Sequence, residues 1–411
     1  MSASAASYEA VCGELDRRRR VALGFERIEA LLGCLGDPHR SLRIVQVVGT
    51  NGKGTTAVAL ANALEAADQA SGAYLSPHVL SYTERIMLRG HFVAEEAFAA
   101  GMGKTMQAAD ANGVPATQFE LLTAGALAMF RDAGLFWAVL EAGLGARHDA
   151  TSAAEPEAVV LTNVGLDHTE YLGGTVEEIA EEKLASLRSG AVLVLGTADS
   201  RVVGVARRRA ARAGARLIEH EETGEPDAVG EVPYLVRNER LGVRAAEVLL
   251  GRPLRKEERE AARTSARLPA RFEVHEVRGV PVVVDGGHNP EGLEAALGAV
   301  RTKYGGRPLG VVFGALQDKD VGSMLDALER EAHALVLTRP ACTVDGRALD
   351  PSRVEKEYSP RDAGGRRARV VIDAGDALGQ VLGEMEKAGG MVLVTGSLYT
   401  GAGVLGWLRG R

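Results

Sequence analysis

The spacing of apolar residues along the 411-residue chain alternates between a strand-like period of two and a helix-like period of three to four. This pattern predicts a regular succession of strands and helices over the first 250 residues. We predict strands at 44–48, 72–76, 135–141, 157–164 and 191–195, and helices at 26–35, 55–68, 94–111, 119–132, 176–188, 199–213 and 238–250, with a polar loop at 77–92.

Strands that alternate with helices are typical of an α/β fold with a doubly wound, mostly parallel sheet. The charged, proline-containing stretch 255–274 interrupts the alternation, which then resumes with "VPVVVDGGHNPEGLEAAL". Further strands are predicted in "LGVVFGAL", "HALVLT", "ARVVID" and "GMVLVTGS". We therefore expect a first domain at 1–271 and a smaller, Rossmann-like C-terminal α/β domain at 272–411. Ligands of such sheets collect beyond the C-terminal ends of the strands.

Composition changes this picture little. Hydrophobic residues make up 46% of the chain and charged residues 25%, as in ordinary globular proteins. The formal net charge of −7 argues against a nucleic-acid partner held by a basic surface. Three cysteines without metal-site spacing fit a reducing cytoplasm, and no apolar run approaches the length of a membrane span. The run "RRRR" at 17–20 favours a solvated helix end over a twin-arginine signal.

The first candidate for chemistry is the turn in "VVGTNGKGTT", between the strand at 44–48 and the next helix. The first turn of a helix has backbone N–H groups without intrahelical partners and attracts anions. Glycines at 49, 52 and 54 allow close approach of a ligand, Lys53 adds positive charge, and Thr55 or Thr56 offers a hydroxyl to Mg²⁺ on bound phosphates. The spacing departs from the usual P-loop, so an ordinary glycine-rich turn remains an alternative on this stretch alone.

Further candidates follow other predicted strands. Glu141 ends one strand, and Asp167 and His168 follow another, where hard oxygen ligands would suit Mg²⁺. A helix cap or salt bridge is the alternative for Glu141, and a hydrogen-bonded loop histidine is the alternative for His168. Lys183, beside several glutamates, has the pattern of a surface lysine. Asp285 also ends a strand.

The segment "DGGHNPEG" in the second domain combines a helix start with residues that capping does not explain. Asn289 can cap the next helix, and Pro290 suits its first position. Asp285 and His288 have no such structural explanation, which is weak evidence that they contact a ligand.

Ten motifs in order, from "GTNGKGT" through "SPHVLSYTERI", "TQFELLT", "EAGLGARHDAT", "TNVGLDHTEYLG", "EEK", "ARFEV", "DGGHNP" and "FGALQDKD" to "TGSLY", resemble the folylpolyglutamate synthase/dihydrofolate synthase family of the Mur ligase superfamily. The resemblance implies an ATP-dependent amide ligase. Such an enzyme transfers the γ-phosphoryl group of ATP to a carboxylate of dihydropteroate or a reduced folate, and the amine of L-glutamate then displaces phosphate. The turn at 49–56 would bind the triphosphate.

Matching positions carry the roles that the resemblance implies. Catalytic residues would be Lys53, His168, Lys183, Arg271 and His288. ATP would contact Gly49, Thr50, Asn51, Gly52, Lys53, Gly54, Thr55, Thr56, Asn238, Arg271 and Asp285. Metal ligands would be Thr55, Ser76, Glu141, His168 and Lys183, and substrate would contact Ser76, His78, Arg85, Phe119, Glu120, Asp149, His288 and Ser397.

The implied cofactors are ATP and two Mg²⁺ ions, with Lys183 carbamylated. Carbamylation requires a neutral amine, whereas an ordinary lysine with a pKa of ~10.4 is protonated at pH 7. We expect small-molecule substrates, no nucleic acid, no membrane, and a monomer.

Several positions depart from the family pattern, including Ala270, where glycine is frequent, and the base-side segment, in which Asn238 alone is retained. A Mur-like ligase for another acid and amino acid, or a nucleotide-binding regulator without ligase activity, are the alternatives.

Overall fold

The computed structural model of the protein describes residues 7–219, 231–263, 268–341 and 346–410. These residues form two compact units. Unit 1 contains the described part of Met1–Gly224 and Leu235–Ala266, and unit 2 contains the described part of Glu225–Tyr234 and Arg267–Arg411. Cys342, one of the three cysteines considered above, lies outside the described residues.

Unit 1 is built on an eight-stranded sheet with the strand order β4-β3-β2-β5-β1-β6-β7-β8. Its strands are β1 (Arg43–Val48), β2 (Ser71–Tyr74), β3 (Ile86–Leu88), β4 (His91–Phe92), β5 (Trp137–Glu141), β6 (Ala158–Leu161), β7 (Val192–Leu195) and β8 (Arg216–Ile218). Its helices are α1 (Tyr8–Arg17), α2 (Glu26–Cys34), α3 (Lys53–Ala66), α4 (Glu95–Ala111), α5 (Gln118–Asp132), α6 (Thr169–Leu172), α7 (Val176–Lys183), α8 (Ser200–Ala213), α9 (Pro233–Leu250, from Leu235 onward) and α10 (Lys256–Arg263).

The centre of this sheet is parallel and buried on both faces. Strand β1 lies between β5 and β6, and all three run in the same direction. One apolar cluster joins the sheet to α1, α2, α4 and α5, and a second joins it to α7 and α8. Helix α3 is buried over most of its circumference, which suits its mostly apolar sequence "AVALANALEA". The turn after β1 is therefore held in the middle of a rigid scaffold.

Unit 2 repeats the α/β plan on a smaller scale. Its six-stranded sheet has the order β13-β12-β11-β14-β10-β9, in which β9 alone is antiparallel to its neighbour. The elements are β9 (Glu273–Val277), β10 (Val280–Val284), α11 (Pro290–Tyr304), β11 (Leu309–Phe313), α12 (Val321–Glu329), β12 (Ala332–Leu337), α13 (Pro351–Tyr358), β13 (Arg369–Val370), α14 (Ala374–Ala388), β14 (Met391–Thr395) and α15 (Leu398–Arg409).

The predicted α/β fold class is confirmed, with two mostly parallel sheets. The arginine run at 17–20 marks a helix end, as predicted, because α1 finishes at Arg17. The prediction of an uninterrupted polar loop at 77–92 is wrong, since β3 and β4 add antiparallel strands to the edge of the sheet. The charged stretch at 255–274 likewise contains α10 and the start of β9. Across the described residues, no helix combines the length and apolarity needed to cross a bilayer.

Candidate active site

The turn that follows β1 is fastened to the segment that follows β6. The backbone N–H of Thr50 donates to the carbonyl oxygen of Asn163 at 3.0 Å, and the backbone N–H of Asn51 donates to the Asn163 side-chain oxygen at 2.8 Å. The Thr162 hydroxyl donates to the carbonyl of Asn51 at 2.7 Å, and the Gly165 N–H donates to the Thr50 hydroxyl at 3.0 Å. These bonds hold the turn in one conformation before any ligand binds.

Two glycines of the turn are required by their surroundings. Gly49 has a φ of +149°, and a Cβ atom there would lie 1.8 Å from Oγ1 of Thr162. Gly52 has a φ of +83°, and its Cβ would lie 2.5 Å from both the oxygen and the nitrogen of the Asn238 side-chain amide. Side chains would both strain the backbone and collide with fixed neighbours. At these two positions the turn therefore presents only backbone atoms, without side chains.

Helix α3 begins directly after this turn without a side-chain cap. Gly52 is the N-cap residue in a left-handed conformation, and no side chain accepts from the first amides. The N–H of Thr56 is the first to bond within the helix, to the carbonyl of Gly52 at 3.0 Å. The N–H groups of Lys53, Gly54 and Thr55 precede it and have no acceptor within the helix. Together with the helix dipole they suit a phosphate.

The two threonines in the first turn of α3 have different roles. Thr56 is fully buried, and its hydroxyl donates to the carbonyl of Asn238 at 3.1 Å. The hydroxyl that fits a metal on bound phosphates is therefore that of Thr55, which is half-buried and whose side chain makes no hydrogen bond to another described residue. The Lys53 ammonium group lies over the turn, with Nζ donating to the carbonyl of Thr50 at 3.3 Å.

Lys183 lies at the other side of the same turn. It is 6% exposed, and Nζ donates to the carbonyl of Gly49 at 2.9 Å. Burial, reinforced by the positive charge of Lys53, lowers the pKa of Lys183 to about 7, although Asp167 acts in the opposite direction. The alternative of a solvated surface lysine is therefore wrong. At this pKa a large fraction of the side chain is a neutral amine near pH 7, as carbamylation requires.

Glu141 and Ser76 meet at the C-terminal edge of the sheet. Glu141 is 4% exposed, and its Oε2 accepts from the backbone N–H of Ser76 at 2.9 Å. Glu141 pairs in register with Val47 of β1, two residues before the glycine turn. The sheet topology thus places the Glu141 carboxylate beside the glycine turn, as expected from its position at the end of a predicted strand.

His168 starts the short helix α6 in a left-handed conformation with a φ of +50°. Its backbone N–H donates to Oδ1 of Asp167 at 2.9 Å, and its ring nitrogen Nε2 lies 3.9 Å from the same oxygen. The ring is about one-third exposed.

The donor set fits a hard cation that shares its coordination with phosphates. Among the described residues, no three His, Cys, Asp or Glu side chains converge as a self-sufficient metal cluster. One buried carboxylate and two hydroxyl groups, from Glu141, Thr55 and Ser76, end at the sheet edge beside the turn. Mg²⁺ commonly takes one or two protein carboxylates and completes its octahedron with water and phosphate oxygens.

A second group of predicted residues follows β2. Arg85 is 7% exposed, its Nε donates to Nδ1 of His78 at 2.8 Å, and its Nη1 donates to the Ser76 hydroxyl at 3.4 Å. Burial and the charges of Arg85 and Arg19 lower the pKa of His78 to about 2. The imidazole is therefore neutral at every physiological pH.

Phe119, Glu120 and Asp149 surround the same region, but the two carboxylates already have protein partners. The Phe119 ring lies 5.9 Å from the ring of Tyr74. Glu120 closes a capping box at the start of α5 and pairs with Arg27 at 3.0 Å. The signal was present in the sequence, because T-x-x-E before an apolar run is a capping-box pattern.

The Asp149 side chain makes hydrogen bonds within the loop that follows β5. Its carboxylate accepts from the N–H groups of Gly143 and Leu144, each at 2.9 Å, and from the N–H of Thr151 at 3.0 Å. Burial raises the pKa of Asp149, while these bonds oppose the shift. The substrate contacts predicted for Glu120 and Asp149 stay predictions.

In unit 2, Asp285 organises the backbone around it. Its carboxylate accepts from the Tyr234 hydroxyl at 2.5 Å and from the N–H groups of Phe272 and Gly287, each at 2.9 Å. Nδ1 of His288 lies 3.0 Å from the carbonyl oxygen of Gly286. Sequence reasoning missed Tyr234, because nothing in its local pattern connects it to a residue 51 positions away.

One predicted cap and one departure are also explained in this unit. Asn289 caps α11 as predicted, with Pro290 at the first position. Ser397, predicted as a substrate contact, caps α15, and its substrate contact stays a prediction. Arg271 follows Ala270, which is fully buried and has a φ of +51°. Glycine adopts this left-handed conformation without strain, which accounts for its frequency at this position in the family pattern.

Two family models match the chain in the order of its two units. The Mur ligase middle domain matches residues 47–229, and the Mur ligase glutamate ligase domain matches residues 270–398.

Relatives with named activities match most of the chain. The dihydrofolate synthase/folylpolyglutamate synthase of Mycobacterium tuberculosis is 30% identical, with 97% of this chain and 93% of that protein covered. A Haloferax volcanii protein named as a bifunctional folylpolyglutamate synthase/dihydropteroate synthase is 34% identical over 95% of this chain. The chain spans about half the length of that relative, 49%.

Solved structures agree with both units. The Mycobacterium tuberculosis folylpolyglutamate synthase complexed with ADP has a TM-score of 0.87 and 27% identity, with 98% of each chain covered. The Escherichia coli FolC in complex with DHPP and ADP has a TM-score of 0.85 and 26% identity, with both chains fully covered. The bifunctional enzyme from Yersinia pestis complexed with AMPPNP and Mn ion has a TM-score of 0.84 and 27% identity, again with both chains fully covered.

Proposed function

The chain belongs to the folylpolyglutamate synthase/dihydrofolate synthase family of Mur ligases, which are ATP-dependent ligases, and on this premise we propose that it joins L-glutamate to a carboxylate of dihydropteroate, of a reduced folate, or of both. ADP and phosphate are the other products. The relatives that bind ADP, DHPP, or AMPPNP with a Mn ion support this choice of substrates and of a divalent cation.

The observation that carries the proposal is the arrangement around the turn after β1. The uncapped start of α3, the Lys53 ammonium and the buried Lys183 surround one short stretch of backbone, and Glu141 ends the neighbouring strand. A bare anion-binding turn would serve any nucleotide-binding protein. A buried carboxylate and a buried amine beside that turn favour phosphoryl transfer over binding alone, and so favour a ligase over a regulator.

The proposed reaction has two chemical steps. A carboxylate oxygen of the acceptor attacks the γ-phosphorus of ATP, the bond to the bridging oxygen breaks, and ADP leaves an acyl phosphate behind. The glutamate nitrogen then attacks the acyl carbon, phosphate departs, and a proton is lost to solvent. Activation is necessary because a free carboxylate is a poor electrophile at neutral pH.

Residues of unit 1 would act on the first step. The amides at the start of α3 and Lys53 would neutralise the β- and γ-phosphates. Mg²⁺ would withdraw charge from the transferring group, and the proposed holders are Thr55, Ser76 and Glu141, with His168 and carbamylated Lys183 completing the set. Roles for Arg271, Asp285, His288 and Ser397, toward ATP or glutamate, belong to the same proposal.

One assay tests the whole proposal. The protein is incubated with ATP, Mg²⁺ and L-glutamate, and with dihydropteroate or tetrahydrofolate in turn, while phosphate release and product mass are recorded. We expect phosphate release that depends on an acceptor, and a product heavier by one glutamyl residue. If ATP binds but no phosphate is released with either acceptor, a nucleotide-binding regulator without ligase activity becomes the better description. Turnover with a different acid or amino acid would support the Mur-like alternative.

We also propose that the protein acts as a monomer in the cytoplasm. Light scattering of the purified chain would give one protomer mass if this is correct, and a stable dimer mass would contradict it.

A further inference from the structure

Arg85 is a buried cation whose partners are all uncharged. It is 7% exposed, and its hydrogen bonds go to His78 and Ser76. The ring of Tyr82 lies 5.6 Å from the guanidinium carbon. Within the ranges that the structure describes, no carboxylate lies at ion-pair distance from Arg85, whereas the equally buried Glu120 has its arginine. An uncompensated buried charge is costly, so this site is suited to a ligand that supplies the missing negative charge.

A second buried polar group lies close to Arg85 and is not satisfied by a well-formed hydrogen bond. Tyr74 is fully buried, and its hydroxyl makes no hydrogen bond of standard geometry to another described residue. The side chains of Arg85 and Thr123 lie nearby, and a phenol with an ordinary pKa of ~10 is protonated at neutral pH. The hydroxyl therefore keeps its proton and can donate it. The Phe119 ring, 5.9 Å from the Tyr74 ring and tilted against it, adds an apolar surface.

His78 cannot supply the missing charge. Because its Nδ1 accepts from Arg85 Nε at 2.8 Å, the ring is neutral with its proton on Nε2. Arg19 adds a second positive charge to the same surroundings. The side chains around Arg85 thus provide hydrogen-bond donors and positive charge close together. The planar fork of a guanidinium matches a carboxylate.

We propose that Arg85 and Tyr74 bind the α-carboxylate of the terminal glutamyl residue of a folate acceptor, and that Arg85 thereby sets the preference for folate over pteroate acceptors. This inference rests on the proposed function. The reacting carboxylate is consumed when it becomes an acyl phosphate and then an uncharged amide. The α-carboxylate stays anionic through the whole cycle, so it can compensate a buried guanidinium at every step. Dihydropteroate has no such second carboxylate.

The position of Arg85 agrees with this assignment. Its Nη1 reaches the hydroxyl of Ser76, and the backbone N–H of Ser76 binds Glu141, the carboxylate proposed to hold Mg²⁺. Ser76 thus lies between Arg85 and the carboxylate proposed to hold Mg²⁺. At this distance Arg85 could contact the acceptor molecule without contacting the carboxylate that reacts.

The test compares three acceptors with wild-type protein and two variants. The acceptors are tetrahydrofolate, its analogue with the α-carboxylate converted to an amide, and dihydropteroate. The variants are Arg85→Gln and a matched control, Arg89→Gln, whose arginine is exposed and pairs with Glu65. Initial rates give KM and kcat separately, and titration calorimetry gives acceptor affinity independently of turnover.

We expect the wild type to bind tetrahydrofolate about 10–100-fold more tightly than the α-amide. Arg85→Gln should remove this preference and raise KM for tetrahydrofolate by the same factor, and it should raise KM for dihydropteroate by a clearly smaller factor. Tyr74→Phe should act in the same direction, more weakly. Arg89→Gln should change none of these values.

Equal affinity of the wild type for tetrahydrofolate and its α-amide would overturn the inference, and this comparison requires no variant to fold. A uniform loss with all three acceptors in Arg85→Gln would also overturn it, since Arg85 would then serve the shared part of the acceptors. The proposed function fails separately, if the wild type releases no phosphate with any acceptor; the calorimetric comparison still decides the role of Arg85 in that case.

Discussion

Nζ of Lys183 lies 2.9 Å from the carbonyl oxygen of Gly49, in a pocket where the lysine is 6% exposed. A helix end and a glycine turn 134 positions apart in sequence are joined by this bond. The contact places a buried amine beside the backbone that is proposed to bind triphosphate. Because Lys183 is buried, its protonation should affect the pH dependence of the free energy of unfolding.

Replacing Lys183 by methionine should stabilise the ligand-free protein near neutral pH. Burial lowers the folded-state pKa of Lys183 to about 7, well below the ordinary value of 10.5. Between these two values the unfolded chain binds more protons than the folded one, so the stability of the wild type rises with pH. Below pH 7 both states are charged, and the full penalty, on the order of 3–5 kcal/mol, is present.

The measurement for Lys183→Met is urea unfolding in bicarbonate-free buffer from pH 7 to 9.5. The variant should be the more stable protein at pH 7, by somewhat less than the full penalty because its hydrogen bond to Gly49 is lost, and the gap should narrow as pH rises. Lys104→Met, at an exposed position on α4, is the control and should follow the wild type. Parallel pH profiles for wild type and Lys183→Met would show that Lys183 is not desolvated.

Lys53→Ala should abolish turnover while leaving the fold intact. The side chain is half-buried, and the bond from Nζ to the Thr50 carbonyl is long at 3.3 Å, so little folding free energy depends on it. Loss of a charge that stabilises the transferring phosphoryl group typically costs about 10²–10³-fold or more in kcat. Phosphate release and the melting temperature are measured side by side. Retained turnover would remove Lys53 from the proposed mechanism.

Gly52→Ala should weaken ATP binding and lower stability together. The added Cβ would lie 2.5 Å from the Asn238 amide at a φ of +83°. Gly214→Ala is a matched control, because Gly214 also has a positive φ, +60°, but a Cβ atom there would have no neighbour within 4 Å. The control should cost about 1 kcal/mol from backbone strain alone and leave nucleotide affinity unchanged. Equal effects of the two substitutions, by calorimetric ATP titration and thermal melting, would argue against the close packing at Asn238.

Glu120→Gln should reduce stability by about 1–3 kcal/mol without raising KM for the acceptor. The carboxylate is 3% exposed, caps α5 and pairs with Arg27, so the substitution leaves a guanidinium without its charged partner. Glu178→Gln is the comparison, since it alters an exposed capping box at α7 and should cost only a few tenths of a kcal/mol. A higher acceptor KM with unchanged stability would instead support the substrate contact predicted for Glu120.

Most of the fold followed from local patterns. Helix α5 was predicted within one residue, and the strands around the glycine turn within a few residues, because each has a long apolar run with a clear period. Strands β3 and β4 were missed because they are three and two residues long. They form because β3 makes hydrogen bonds to β2 and β4 makes hydrogen bonds to β3, and neither has a hydrophobic pattern long enough to predict it.

The candidate site divides in the same way. The anion-binding turn could be predicted, because its properties come from the backbone of consecutive residues: a strand end, glycines, and the first turn of a helix. The capping role of Asn289 is equally local. The engagement of Asp285 by Tyr234 and of Glu120 by Arg27 could not be predicted, since each pair joins residues far apart along the chain.

The sequence by itself determined the order of strands and helices, the glycine turn with its lysine, and the resemblance to ATP-dependent glutamate ligases. Only the tertiary structure decided that Lys183 is buried rather than solvated, that Asp149 and Glu120 already have partners, and that Arg85 has no carboxylate among the described residues. The physical reason is that backbone preferences act over a few residues, whereas desolvation and charge pairing depend on which distant segments pack around a side chain.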